Sequence, residues 1–519
     1  MNYQKKLHNI MLVRILLIAA VVVLLVFIIL TRFSDINADP DVSISLLKAV
    51  YSNDEGWKSG NAINKFLSNR WMCNDYNDIL IWPVMPMLEY VSFKIFGLSL
   101  FSLRFPSVVL STLLILLLGI YIFYNCQVLD INKKLIILIV YLILAGTNYY
   151  LFIHGRIAFF DIPMSTFGFM SLLALDRALR SEEYKRKYVY FILYGILVGL
   201  SVAVKTTGLI FFITGFMILI LRIIIGRSDE KYNVMGFIFS FIVMICITLF
   251  LLFLINKGIT GSYFTTPWKY IFAPGIVCAD QLHPIIVVRN YLRFFTNNLI
   301  LKNAALFLIG IVGLILILNN SLLHKKIRIS DEIMIALAIS SFLFLGFFTP
   351  QAERYFVVLL IPLFYFISQF IQYFFLISEQ NLFIRKQPIL RHSVLFLIFL
   401  VLFSNAWNMW KMEDYLKEKH FSLQETALAI RKDIEDDANW HSIRTPHTMV
   451  GRKSSTLAVI NHLFFTYHPE DETKNYYRIT YNIEDITSDT FTLISQYKLY
   501  DSDYPEFTIY LARKNVRNE

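Results

Sequence analysis

The chain has 519 residues, of which 56% are hydrophobic and only 17% charged, with a mean hydropathy of +0.56. This balance excludes an ordinary soluble domain and predicts an integral membrane protein whose main solvent is lipid. The formal net charge of +10 does not indicate a nucleic-acid partner, because the cations lie mainly in short loops between apolar segments, where they report membrane topology.

The N-terminal segment predicts a membrane anchor. Lys5, Lys6 and Arg14 precede or open an unbroken apolar run at 15–30. The run is long for a signal peptide and no small-x-small cleavage site follows it. We therefore expect a retained anchor in the inner membrane, with the N-terminus in the cytoplasm.

A long polar stretch at 32–106 follows and is predicted to be the first extracytoplasmic loop. Its density of aromatic, acidic, amide and proline residues indicates an ordered surface layer. Asp54 and Glu55 are adjacent carboxylates in this stretch. They are candidates for chemistry at the membrane surface, although such a pair is also typical of the first turn of a surface helix capped by Ser52 or Asn53.

Ten further apolar segments, with the anchor, predict about eleven transmembrane helices, each near the ~20 residues needed to cross hydrocarbon. The segments lie at 107–124, 134–153, 157–176, 188–204, 207–225, 234–255, 299–318, 332–348, 355–376 and 393–410. Loops assigned to the cytoplasm carry clusters of Lys and Arg, whereas each short outer turn carries one cation. This alternation follows the positive-inside rule.

Two more segments are predicted outside the membrane. A second polar loop covers 256–298, and a soluble tail covers 411–519. The tail has an amphipathic pattern at 423–434 and alternating patterns at 476–481 and 507–511, which predict a helix and strands.

The predicted architecture is an all-α polytopic membrane domain at 1–410, followed by a small extracytoplasmic α+β domain at 411–519. The four cysteines show neither metal-binding nor CxxC spacing. The topology puts Cys73 and Cys278 on one outer face, where a disulfide is one option, but sequence alone does not supply the geometry that it needs.

Arg156, Lys205 and Arg354 are isolated cations at the predicted outer ends of three helix pairs. Charged residues near lipid are costly and usually face a cavity or a partner. A ring of such cations suits a phosphate, which guanidinium groups bind bidentately. The simpler alternative is that each one extends to water or pairs locally.

Asp161 lies at the start of an apolar segment, five residues after Arg156. If both were on one helix, this spacing would separate them by about 140°, so they would not pair with each other. Asp161 therefore needs a partner elsewhere, and Lys205 or Arg354 is predicted. A purely structural ion pair is the simpler interpretation.

Four stretches, in order, resemble the motifs of one family. The first loop carries Asp54-Glu55-Gly56, Asn61-Ala62, Trp71, Asp75, Asn77, Pro83, Pro86, Leu88-Glu89-Tyr90, Phe93-Lys94, Phe96-Gly97 and Arg104. The others are 155–161 (GRIAFFD), 199–208 (GLSVAVKTTG) and Glu353-Arg354-Tyr355 followed by Pro362. The set is similar to GT-C glycosyltransferases, particularly protein O-mannosyltransferases and the aminoarabinose transferases of lipid A. The resemblance covers 10–410, and the tail matches only as an external domain.

The resemblance implies an inverting transferase that moves a sugar from a polyprenyl-phosphate donor to an acceptor outside the cytoplasmic membrane. Asp54 would be the general base on the acceptor hydroxyl, and Glu55 would orient the acceptor or help hold a divalent ion. Arg156, Lys205 and Arg354 would bind the donor phosphate, where negative charge develops as it leaves. The residues expected to support this site are Asp161, Glu89 and Tyr355.

The sequence also departs from the family. The large central domain of eukaryotic protein mannosyltransferases is missing, which weakens the case for a protein acceptor. No DxD motif occurs in the first loop, and the Asp-Pro-Asp at 39–41 only loosely resembles one. The use of a divalent metal ion therefore stays open.

Two other functions compete with the transferase. A transporter or flippase of a lipid-linked or anionic substrate would place ionisable residues near mid-membrane and show internal repeats. The apolar segments are almost free of charge at mid-depth and no two halves match, which favours the enzyme. In the remaining alternative, the chain is a non-catalytic anchor whose tail binds a partner.

Overall fold

The computed structural model describes residues 2–37, 50–71, 78–225, 230–260, 304–324, 327–347 and 357–380, with most of 398–410. Nearer the C-terminus it describes the strands at 477–480, 491–501 and 504–514 and a few single positions. For 2–9 and 50–57, among other helix-end residues, only the backbone is described. Most of the second predicted loop, including Cys278, lies outside the described residues, and so does Cys73 of the first loop.

Helices dominate the described chain. They are α1 (Asn2–Phe33), α2 (Val50–Ser68), α3 (Val84–Phe96), α4 (Leu100–Asn125), α5 (Ile131–Gly146), α6 (Tyr149–His154), α7 (Asp161–Arg180), α8 (Tyr184–Val204), α9 (Leu209–Ile225), α10 (Glu230–Thr260), α11 (Ala304–His324), α12 (Ile329–Phe347) and α13 (Val357–Gln380). A short apolar helix follows at Ile398–Trp407. Each predicted span overlaps at least one described helix. Seven of the described helices are long and apolar enough to cross a membrane, which confirms a multi-pass membrane protein.

The span predicted at 134–153 is wrong in one respect, because two helices share it. α5 ends at Gly146, where the Thr147 hydroxyl donates to the Ile143 carbonyl at 2.6 Å. The Asn148 side chain then accepts from the Leu151 amide at 3.2 Å and caps α6. A residue that caps a new helix offers the backbone an alternative to continuing the old one.

The helix observed for the span predicted at 157–176 begins four residues later than predicted. Residues 155–160 form turns, and α7 begins at Asp161, with Pro163 in its first turn. Both residue types are favourable there, because proline needs no amide partner and a carboxylate interacts well with the helix N-terminus. Arg156 is thus not on the same helix as Asp161, and the angular argument from a shared helix does not apply.

The first predicted loop is an ordered layer in its described part, as its composition predicted. It contains α2, a 3-10 turn at Asp78–Leu80 and α3. These three elements pack on one another, and α3 also packs on α4. The buried Asn61 holds the chain between them: its side-chain amide donates to the Trp71 carbonyl at 2.7 Å and its oxygen accepts from the Ile79 amide at 3.3 Å.

The membrane helices share one continuous core, in which α7 packs on α8, α8 on α10, α9 on α12, α11 on α13 and α1 on α5. One end of the bundle, at the C-terminus of α9 and the start of α12, carries a buried ion pair between Arg222 and Glu332 at 2.6 Å. At the same end, Arg328 pairs with Asp331 at 2.7 Å. The first-loop helices pack at the opposite end.

The C-terminal region contains a three-stranded antiparallel sheet in the order β1-β3-β2, with β1 Tyr477–Thr480, β2 Phe491–Asp501 and β3 Tyr504–Lys514. The sequence predicted β1 and β3 but not β2. Ile509 and Leu511 of β3 are fully buried, as expected for alternate residues on the covered face of a sheet. The predicted tail helix at 423–434 is described only at a few helical positions.

Candidate active site

A buried ion pair joins two of the predicted site residues. Lys205 Nζ lies 2.5 Å from Asp161 Oδ1, and the two side chains are only 5% and 3% exposed. Asp161 is the first residue of α7, and Lys205 is the extended residue that ends α8. The predicted pairing of Asp161 with Lys205 is present, while the other predicted partner, Arg354, lies outside the described residues.

The turn after Lys205 is packed tightly against the preceding helix. Residues 206–208 form a 3-10 turn in which the Gly208 amide donates to the Lys205 carbonyl at 2.8 Å. A Cβ on Gly208 would lie 2.6 Å from the backbone carbon of Ser201. The Ser201 hydroxyl in turn donates to the Met164 carbonyl of α7 at 2.8 Å. This chain of contacts sets the position of Lys205 against α7.

Arg156 lies in the turn between α6 and α7 and is only 5% exposed. Its guanidinium donates to the Ser34 carbonyl just beyond α1 and lies 4.8 Å from the centre of the Phe152 ring. The preceding Gly155 contacts α4 so closely that a Cβ there would clash with the Ser111 side chain. The glycine therefore permits the approach that brings Arg156 to the end of α1.

The turn after α1 is held by a second arginine. Arg104 of α4 donates to the Ile36 carbonyl at 2.6 Å, and Asp35 has a φ of 47°. A residue in this left-handed conformation commonly ends a helix. Cations at a helix C-terminus also interact favourably with its exposed carbonyls. Arg104 and Arg156 therefore both bind carbonyl groups of the turn that follows α1.

The first-loop layer packs directly onto these segments. Lys58 of α2, only 7% exposed, lies with Nζ 4.9 Å from the Phe160 ring centre and 5.5 Å from that of Phe159. The Trp82 indole donates to the Thr206 hydroxyl at 2.8 Å, and its ring meets Phe160 edge-on at 6.1 Å. α2 and the start of α3 thus contact both chain segments that carry the Asp161–Lys205 pair.

The predicted site residues fall into three groups. Asp161 and Lys205 are in direct contact, and Arg156 lies five residues before Asp161 on the same turn segment. Glu89 is fully buried in α3. The remaining predicted residues are described only by backbone or not at all: Asp54 and Glu55 lie in α2 with side chains outside the described set, and Arg354 and Tyr355 lie outside the described residues.

Two buried cations were missed by the sequence analysis. Arg32 is completely buried in the last turn of α1, and Lys58 is buried in α2. A signal for each was present in the sequence. Arg32 is a cation at the outer end of the anchor, where the positive-inside rule disfavours one. Lys58 follows Asp54 by four residues, which is the spacing of helical neighbours.

The described part of the site is rich in cations. Arg32, Arg104, Arg156, Lys58 and Lys205 are all buried at this end of the bundle, and such groups stabilise developing negative charge when they are fixed in place and shielded from water. Among the described residues, no group of three His, Cys, Asp or Glu side chains could hold a metal ion. The sequence left the use of a divalent ion open, and this observation covers only the described residues.

The described chain is a multi-pass helical bundle with a folded first loop packed across one end, over a cluster of buried charges. This is the predicted GT-C-like fold, which the chain shares with solved structures of ArnT and of the oligosaccharyltransferase AglB. No protein-family model and no curated protein matches the chain in sequence, so this fold rests on solved structures.

The crystal structure of apo ArnT from Cupriavidus metallidurans is similar at a TM-score of 0.59 and 10% identity, covering 95% of this chain and 97% of that chain. The same protein bound to undecaprenyl phosphate aligns at a TM-score of 0.57 and 11% identity with the same coverage. The oligosaccharyltransferase AglB from Archaeoglobus fulgidus, in complex with an inhibitory peptide and a dolichol-phosphate, aligns at 0.51 and 13% identity over 88% of this chain and 64% of that chain.

Proposed function

We propose that this protein is a membrane glycosyltransferase that moves a sugar, with inversion, from a polyprenyl-phosphate-linked donor to an acceptor outside the cytoplasm. It would lie in the inner membrane with its N-terminus in the cytoplasm and its C-terminal domain outside. The acceptor would be a lipid, a glycan or a protein. The observation that carries the proposal is the packing of α2 onto the segment 156–161, through Lys58, Phe159 and Phe160.

The helix α2 links this packing to the proposed base. Asp54 precedes Lys58 by four residues within α2, so the two positions lie on one face of the helix. The face that carries Lys58 packs on Phe159 and Phe160, immediately before Asp161. Position 54 therefore belongs to the face that covers the buried charges, which supports Asp54 as the general base and Glu55 as its neighbour on the acceptor side.

Each of these residues has its own role in the proposed reaction. Asp54 takes the proton of the acceptor hydroxyl, whose oxygen attacks the anomeric carbon, and the bond from that carbon to the phosphate oxygen breaks with its electron pair leaving on the lipid phosphate. Arg156 and Arg354 bind that phosphate. Lys205 has three N–H donors, so it can hold Asp161 with one and reach the phosphate with another.

The donor class is supported by the structures that share the fold. ArnT was crystallised with undecaprenyl phosphate and AglB with dolichol-phosphate, and we extend a polyprenyl-type phosphate lipid to this chain. The fold match does not favour the alternative of a transporter or flippase, and none of the contacts described at the site requires a transport function.

The proposal is tested by replacing the base. Asp54→Asn should lower transfer by roughly 100-fold or more, the usual size of general-base catalysis, and polyprenyl-linked sugar should accumulate in cells. Glu183→Gln is the matched control, because this exposed acid pairs with Arg186 at the opposite end of the bundle. Glycan profiles and lipid-linked sugars are compared at equal protein levels. Unchanged profiles for Asp54→Asn would reject the catalytic assignment.

A further inference from the structure

Arg32 is a buried cation whose hydrogen-bonding capacity is largely unused. Its side chain is 0% exposed. Its one hydrogen bond, from Nη2 to the Ala145 carbonyl, is long at 3.5 Å. Among the described residues, Nε and Nη1 have no acceptor and no acid forms an ion pair with this guanidinium. Arginine carries five N–H donors, so most of those of Arg32 have no acceptor among the described residues.

Arg32 lies at the buried end of a helix that is otherwise little buried. Only 6% of the residues in the apolar part of α1 are buried, whereas Ile28, Thr31 and Arg32 near its end are buried. A long cationic side chain in the last turn of such a helix would ordinarily extend to the water at the membrane interface. Arg32 instead turns inward against Phe152, with Cζ 5.3 Å from the ring centre.

A second guanidinium shares that ring. Arg156 lies with its Cζ 4.8 Å from the centre of the same Phe152 ring, and its charge acts directly on Arg32. Two buried like charges repel, and a buried charge without a counter-ion is costly. An anion that accepts from both guanidinium groups would offset the unpaired charge of Arg32. A phosphate is such an anion, because its oxygens accept from two guanidinium groups in paired, directional hydrogen bonds.

We propose that Arg32 and Arg156 together bind the phosphate group of the lipid-linked donor, and that Arg32 is a donor-binding residue. This inference rests on the proposed function. Arg32 lies at the end of a candidate membrane span, where a lipid headgroup would be expected. Arg156 is on the segment that leads to Asp161, and α2 covers that segment. That continuity favours the donor over a bulk phospholipid, which offers the same phosphate chemistry.

The experiment measures ligand binding to the full-length protein in nanodiscs, without sugar transfer. Wild type, Arg32→Met and Arg32→Lys are titrated with undecaprenyl phosphate, and with undecaprenol, phosphatidylglycerol and inorganic phosphate as comparison ligands. Thermal unfolding is followed with and without each ligand. The control is the double variant Arg222→Gln/Glu332→Gln, which removes a buried ion pair at the opposite end of the bundle.

Arg32→Met should weaken undecaprenyl phosphate binding roughly 10- to 100-fold, the range expected when hydrogen bonds to a charged group are lost. Arg32→Lys should recover part of the lost affinity, since lysine keeps the positive charge but cannot form the paired hydrogen bonds of a guanidinium group. Without ligand, Arg32→Met should unfold at the same or a higher temperature than wild type, because it removes a buried unpaired charge. A purely structural arginine would give the opposite pair of results: lower stability and an unchanged ligand-induced shift.

Each outcome bears on the inference separately from the proposed function. Wild-type affinity for undecaprenyl phosphate in Arg32→Met overturns the inference, even if Asp54→Asn abolishes transfer. An equal loss for phosphatidylglycerol overturns the donor assignment and leaves a phospholipid site. Selective loss for undecaprenyl phosphate supports the inference, and it does so even if Asp54→Asn transfers sugar normally and the proposed function fails. If Arg32→Met does not fold, the same comparison is made with Arg32→Lys, whose unchanged affinity would also overturn it.

Discussion

Lys205 and Asp161 show why a buried charge has to be interpreted together with its partner. Both side chains are almost completely buried and their charged atoms are 2.5 Å apart. Removing one partner should break this buried ion pair and cost about 3–5 kcal/mol of unfolding free energy. We expect this loss in Lys205→Met and in Asp161→Asn, measured by denaturation of the solubilised protein.

The double variant is the control for that pair. Because Lys205→Met/Asp161→Asn removes both charges, it should be more stable than the sum of the single losses predicts, with a coupling energy of roughly 0.5–3 kcal/mol. Additive losses would show that the contact contributes little to stability. Transfer activity should fall in all three variants, since each of them alters the contact that positions Lys205.

Among the elements, the turn after α8 depends on a glycine. A Cβ on Gly208 would meet the Ser201 backbone at 2.6 Å, so Gly208→Ala should displace the turn that holds Lys205 and the Thr206 partner of Trp82. We expect lower stability by about 1–3 kcal/mol, as for other overpacked sites, and weaker donor binding. Gly258→Ala in α10 is the matched control, because nothing lies within 4 Å of its added Cβ. Equal effects of the two variants would contradict the packing argument.

The C-terminal sheet should respond to pH through one carboxylate. Ser495 and Tyr497 of β2 donate to Asp433 at 2.5 and 2.6 Å, and these hydrogen bonds hold the pKa of Asp433 below its usual value of 3.8. A carboxyl whose pKa is lower in the folded state stabilises the fold above its unfolded pKa. That contribution disappears as the pH falls below 3.8 and through the folded value. Acid unfolding of the wild type followed by a probe in the sheet should therefore show a step that Asp433→Asn lacks.

For the whole molecule, the testable property is which end of the bundle faces outward. The positive-inside rule places the loop between α7 and α8 in the cytoplasm and the α2–α3 layer outside. In a cysteine-free background, an impermeant maleimide should label Lys94→Cys in intact cells and Glu182→Cys only after lysis, since both positions are exposed. The reverse pattern would invert the topology and would reject an extracytoplasmic acceptor.

Much of the fold could be predicted from the sequence because it follows from local properties. Hydropathy located the membrane helices, and loop charge assigned their ends, since both report the cost of placing side chains in lipid. The boundaries were less accurate where polar caps compete with apolar runs, as at Asn148 and Asp161. Strand β2 was missed because its alternation is interrupted by register shifts between Leu493 and Ser495 and between Leu499 and Asp501.

The candidate site could be predicted from the sequence only in part. By itself the sequence predicted which charges lie at the outer helix ends and carried the motifs that resemble GT-C enzymes, because these are properties of each segment. Only the tertiary structure decided that Asp161 pairs with Lys205, forty-four residues away, and that Arg32 turns inward to share Phe152 with Arg156. The partner of a buried charge is set by how the helices pack, and that packing depends on the whole core and not on any one segment.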